Sequence, residues 1–98
     1  MQKERTFMEF RGKKLEDIIV KLPFADGTTA DYGVDKYFKV GGKEYFAMLP
    51  LIGKKQLDHT KKCALYEVQE DADNNPIVLY IEDDAEFERA ADYYSKIK

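Results

Sequence analysis

Between Phe38 and Leu51 the chain reads Phe-Lys-Val-Gly-Gly-Lys-Glu-Tyr-Phe-Ala-Met-Leu-Pro-Leu, and few folds other than a β-hairpin accommodate that order. Gly41 and Gly42 supply the positive φ angles that a tight two-residue turn demands, and apolar runs flank them on both sides. A strand exposed on one face would alternate polar with apolar residues. From Tyr45 to Leu49 this one does not. The pattern therefore predicts a central strand covered on both faces, by a helix or curled sheet on one and by loops or partners on the other. Pro50 has no N–H for a ladder and should end the regular pairing.

The remaining elements arrange themselves around that hairpin. Asp17 to Leu22 is β-branched and predicts a first strand closed by Pro23, followed by a turn at Ala25-Asp26-Gly27-Thr28. Thr29 to Val40 predicts a long second strand with a bulge or bend at Gly33. Residues 52–62 form a polar connection with room for one helical turn; 62–69 and 76–81 predict the last two strands, joined by an Asx-rich turn at 71–75. From Asp83 the period changes to that of a helix. Phe87, Ala90, Ala91, Tyr94 and Ile97 share one face, and Asp83 stands three residues before Glu86 as in a capping box. Connections this short favour antiparallel neighbours, so the expected fold is α+β: a five-stranded antiparallel meander, curled toward a barrel, with a C-terminal amphipathic helix packed on it. Residues 17–98 make one domain. Residues 1–16 form an N-terminal arm that admits a short helix, an extra strand turning at Arg11-Gly12, or partial order.

A chain of 98 residues buries roughly 65% of the surface its unfolded form exposes, enough for one core without staples. With 44% hydrophobic and 36% charged residues, the composition is that of a folded rather than a disordered chain. The net charge of −3 is unevenly spread: residues 64–98 hold ten acidic against three basic side chains, and residues 50–63 hold four lysines against Asp58. One cysteine, Cys63, excludes an internal disulfide framework. No apolar run approaches the roughly 18 residues of a membrane span, and the N-terminus has no secretory h-region, so a cytoplasmic location is expected.

Motifs that carry chemistry are weak. Asp71, Asp73, Asn75 and Glu82 follow the spacing of a calcium loop, but its sixth position, which must turn sharply, is Pro76, and strands rather than helices flank it. His59 and Cys63 fall short of the four ligands of a structural zinc site, and no base or oxyanion motif accompanies them. Phosphate loops, nucleophile elbows and metalloprotease helices are missing from the sequence. The chain is thus expected to be no enzyme and to need no metal or cofactor. Lys54, Lys55, Lys61 and Lys62, in a chain with seven tyrosines and six phenylalanines, raise RNA binding by phosphate contact and stacking.

The order Asp17-Ile18-Ile19-x-x-Leu22, then Asp26-Gly27, then Phe38-x-Val40-x-Gly42-Lys43-Glu44-Tyr45-x-x-x-Leu49-Pro50-Leu51 resembles the YrzB-like family. Leu65-Tyr66-x-Val68-x-Glu70-Asp71 and Ile81-Glu82-Asp83-x-x-Glu86-x-Glu88 continue the likeness, which spans about residues 17–90. It implies a small cytoplasmic bacterial protein with a domain of unknown function, and no activity or catalytic residue. Members look strongly acidic after the Leu-Pro-Leu strand, where this chain instead carries its lysines.

A specified fold without a catalytic constellation points to a protein-interaction module. Its expected surface is a free sheet edge or the acidic helix, with Glu82, Asp83, Asp84, Glu86, Glu88 and Asp92 meeting a basic protein partner. The alternative is an RNA- or ribosome-associated accessory protein using the lysine-rich loop. The pattern leaves the oligomeric state open.

Overall fold

The computed structural model describes residues 5–54 and 56–97, with side chains described from Phe7 onward. Among these residues eight strands and one α-helix follow in order: β1 (Arg5–Phe7), β2 (Glu9–Phe10), β3 (Lys13–Lys14), β4 (Ile19–Pro23), β5 (Thr29–Val40), β6 (Lys43–Pro50), β7 (Ala64–Glu70), β8 (Pro76–Leu79) and α1 (Asp84–Ile97). Strands β4 to β8 form the expected antiparallel meander, giving an α+β fold with a curled sheet and one C-terminal helix. Gly41 and Gly42 take φ of 62° and 86°, and Val40 pairs with Lys43 across their turn.

The long strand β5 serves two partners along one edge. Its first half pairs with β4, from Thr29↔Pro23 to Gly33↔Ile19; its second half pairs with β1, from Tyr37↔Phe7 to Lys39↔Arg5. The ladder to β6 slips between these halves, where Val34 faces Met48 and Lys36 already faces Ala47. The bulged residue is therefore Asp35, a correction to the expected bulge at Gly33. Gly33 is regularly paired, and its missing side chain has another use: a Cβ there would lie 2.6 Å from Leu57 Cδ2 and 3.0 Å from Leu51 Cδ2. Glycine lets the connection after β6 settle onto the sheet.

Strand β6 is buried on both faces, and its alternation builds two cores. Phe46 and Met48 join Phe10, Ile18, Leu22, Val34, Tyr37 and Val68 on one side; Tyr45 and Ala47 join Phe38, Val40, Leu65, Ile81 and Ala90 on the other. The helix covers the second side. The first is covered by residues that the sequence left open. Strands β2 and β3 form a hairpin turning at Arg11 and Gly12 (φ 50° and 84°), which drives Phe10 against Tyr37 and Phe46. The strand expected from Asp17 begins only at Ile19, because Leu15–Asp17 makes a 3-10 turn that buries Ile18 instead.

The helix starts as expected, with Asp83 Oδ2 accepting the Glu86 N–H at 3.1 Å. The capping box stays half made. Rather than folding back to the Asp83 N–H, the Glu86 side chain turns inward and accepts from Tyr45 Oη at 2.8 Å and Lys43 Nζ at 3.4 Å. The buried stripe accordingly centres on Glu86, Ala90 and the rings of Tyr93 and Tyr94 over Phe38, and Phe87, expected inside, is left 43% exposed. A buried hydroxyl and a buried carboxylate that satisfy each other are costly to separate. Glu86→Ala and Tyr45→Phe are each expected to cost about 1–3 kcal/mol. In urea titrations the double variant should cost less than their sum by at least about 0.5 kcal/mol; additive losses would show that the pair is not coupled.

Candidate functional site

The bulge at Asp35 positions the most site-like region of the surface. It turns the carboxylate toward α1, where Tyr94 Oη donates to Asp35 Oδ2 at 2.9 Å. Cys63, at the entry to β7, lines the same groove as this tyrosine. Burial, and then the bond to Asp35, push the Tyr94 hydroxyl well above the usual tyrosine range, so it is held as a donor. Around this cluster lies a groove of about 650 Å³ between the outer flank of α1 and the segment leading into β7. Leu49, Leu65 and Ala91 form an apolar floor, Phe87 stands at the lip, and Lys36, Lys61, Lys62 and His59 make the rim. A second groove of about 610 Å³ lies on the other side of Asp35 and Lys36, walled by Phe7, Met8, Leu51, Leu57 and Ile97. Its rim is mixed in charge, with Glu9 and Glu16 beside Lys14.

The lysines raised by the sequence do not form one patch. Lys61 and Lys62 rim the groove, Lys54 borders a separate hollow with Ile19, Asp31 and Gly53, and Lys55 lies outside the described residues. The connection between them holds a turn rather than the helical turn allowed for it: Asp58 Oδ1 accepts from the Thr60 N–H at 3.1 Å and its hydroxyl at 2.6 Å. Those bonds, the hydroxyl first, hold the Asp58 carboxyl below its ordinary range.

The acidic residues divide as well. Glu82, Asp83, Asp84, Glu88 and Asp92 are exposed, and Asp84, Glu88 and Asp92 recur every four residues as a stripe on the solvent side of α1. Glu86 does not belong with them. Its carboxylate is turned into the core, which corrects its inclusion in an acidic binding surface. Asp71 is spent locally: its Oδ1 accepts the Asp73 and Asn75 N–H groups at 2.9 Å each, and these bonds, Asn75 first, lower its pKa. Among the described residues no group of three or more His, Cys, Asp or Glu side chains converges to hold a metal ion. Nor is any helix of the described residues long and apolar enough to cross a membrane.

Sequence reasoning missed Asp35, Tyr94 and Phe87 as parts of one site. The available signal was Asp35-Lys36, two adjacent charges that break the alternation of an otherwise half-buried strand.

These features define a small α+β module, a curled antiparallel sheet closed by one helix, with a groove on either side of Asp35 and Lys36. The chain belongs to the family described as "Protein of unknown function (DUF1292)", whose model matches residues 26–97, from the turn before β5 to the end of α1. It is 27% identical over 79 residues to a UPF0473 protein of Pelotomaculum thermopropionicum, a match covering 81% of this chain and 85% of that relative. No solved structure matches the chain.

Proposed function

We propose that the protein is a non-enzymatic, cytoplasmic protein-interaction module whose groove beside Phe87 and Tyr94 receives an apolar side chain from an acidic segment of a partner. The YrzB-like resemblance is, on this reading, a likeness within the same uncharacterised bacterial family. One observation carries the proposal: the groove joins an apolar floor to a rim of Lys36, Lys61 and Lys62. Such a site offers desolvation to an anchor and attraction to flanking carboxylates. The polar groups inside are directed at each other, since Asp35 accepts from Tyr94 rather than standing ready to take a substrate proton.

The protein should be purified from its native cells with and without ribonuclease, and the retained partner titrated against variants. Phe87→Ala is expected to weaken a ribonuclease-resistant protein partner by about 2 kcal/mol or more, the loss of an anchoring contact. The Lys61→Glu, Lys62→Glu pair should slow its association and reduce the salt dependence. Unchanged affinity in both variants would reject the groove. A second reading has its own support, because three lysines beside an exposed aromatic also suit single-stranded RNA. Recovery lost on ribonuclease treatment, with steep salt dependence, would put it first.

A further inference from the structure

The two edges of the sheet are unequal. On the β4 edge an ion pair between Lys21 and Asp31 (2.9 Å) and the missing N–H of Pro23 discourage further pairing. The β8 edge carries no such ion pair, and its one proline, Pro76, stands at the very start of the strand, where it removes a single outward N–H. No charged residue occurs from Pro76 to Ile81, and Ile77, Leu79 and Tyr80 are exposed, Tyr80 at 76%. Among the described residues no strand pairs with β8 beyond β7. Antiparallel bonding alternates along a pair. Counted from the Asp71 N–H to Asn75 carbonyl bond (3.0 Å), it turns Ile77 and Leu79 toward β7 and leaves the N–H and carbonyl of Val78 facing outward. An apolar edge with outward backbone groups is a template for one more strand.

Charge at the ends of β8 selects what that strand can be. Glu82, Asp83 and Asp84 follow it directly. At its start lie Glu70, Asp71 and Asp73, offset only in part, since Arg11 is shared between Glu70 (2.7 Å) and Glu44 (3.4 Å) and Lys13 bonds the side chain of Asn75. A second copy paired about a two-fold axis would run antiparallel and set Glu82–Asp84 of one chain against Asp71 and Asp73 of the other. A four-residue strand also falls well short of the roughly 800 Å² per partner of a standard stable interface. We propose that β8 accepts, as an added strand, an extended segment of another protein that is apolar at alternate positions and carries Lys or Arg beyond its ends. This surface is separate from the groove and does not depend on it.

The test uses the full chain, isotope-labelled, with the synthetic peptide Lys-Lys-Val-Thr-Val-Thr-Val-Lys-Lys and its counterpart bearing Glu in place of each Lys. The basic-flanked peptide is expected to shift the amides of residues 76–80, with affinity falling steeply as salt rises, while the acid-flanked one leaves them in place. Val78→Pro removes the outward N–H and should weaken binding by about tenfold or more. Because Val78 is half-buried, the exposed pair Glu82→Lys, Asp84→Lys provides a second reading: it should weaken the basic peptide and admit the acidic one. Equal response to both peptides, shifts at β4 or the groove instead of β8, or binding undiminished by the charge reversal would overturn the proposal. So would a reversible dimer in sedimentation whose interface amides are those of β8, which would make the occupant a second copy.

Discussion

Replacing Phe10 with alanine is expected to cost about 3–5 kcal/mol, the range for a fully buried phenylalanine, because the cavity left behind relaxes only in part. For a chain of this size that lowers the melting temperature by roughly 12 °C or more. Phe10 is 0% exposed, and its ring meets Tyr37 edge-on at 5.2 Å and Phe46 at 5.3 Å, with the Arg11 guanidinium 4.8 Å from its own centroid. Strands β2 and β3 hold two residues each, too few to persist as a hairpin without docking. The anchor of that docking is Phe10. Met8, two residues away and 83% exposed, is the internal control: Met8→Ala should change stability by no more than about 0.5 kcal/mol. Thermal unfolding followed by circular dichroism separates the two. A Phe10→Ala loss no larger than that of Met8→Ala would mean that the hairpin melts apart from the rest of the domain.

Phe10 also marks where the sequence stopped being legible. The strands from β4 to β8 and the helix could be read because their signals are local: a Gly-Gly turn, an Asp-Gly turn, an Asx cluster before Pro76, and a change of period after Asp83. The role of residues 7–18 depends instead on what the meander leaves uncovered. The unbroken apolar run of β6 said that a second face needed a cover, but nothing local said that Phe10 and Ile18 supply it. The same holds for the helix. Its periodicity placed Phe87 inside and gave Glu86 to the surface, and both were reversed by a non-local fact, the Tyr45 hydroxyl at the floor of the helix's seat. A carboxylate that finds a buried donor follows that partner rather than its hydropathy. The groove was hidden for a related reason, since it depends on a one-residue slip at Asp35 that turns a side chain toward α1 from a strand otherwise in register.

Raising the pH should unfold this protein over a narrow interval, and the tyrosines set its lower limit. Burial first, and then the bond to Glu44 at 2.5 Å, push the Tyr37 hydroxyl up to about 12. Tyr45 and Tyr94 are pushed up further, again by burial first and then by donation to Glu86 and Asp35. In the unfolded chain each titrates near pH 10, at about the free tyrosine value. From about pH 10 upward the folded state therefore binds more protons than the unfolded state, so the unfolding free energy falls as pH rises. Each tyrosine contributes a slope of about 1.4 kcal/mol per pH unit, and three together about 4. Below about pH 10 this contribution is fully present and flat. Against a total stability of about 5–15 kcal/mol, two units of such a slope are decisive. Urea midpoints measured from pH 9 to 12 should hold steady and then collapse, and the part of the phenolate absorbance that disappears in the Tyr37→Phe, Tyr45→Phe and Tyr94→Phe variants should rise together with unfolding. Phenolate absorbance from these residues that rises well before unfolding would contradict the geometry. In each case the hydroxyl donates to a carboxylate, and a folded phenolate would place two negative charges at hydrogen-bond distance. Losing those protons in the folded state is therefore costly, and for Tyr37 a neighbouring cation, the Arg11 guanidinium at 3.3 Å, offsets part of that cost.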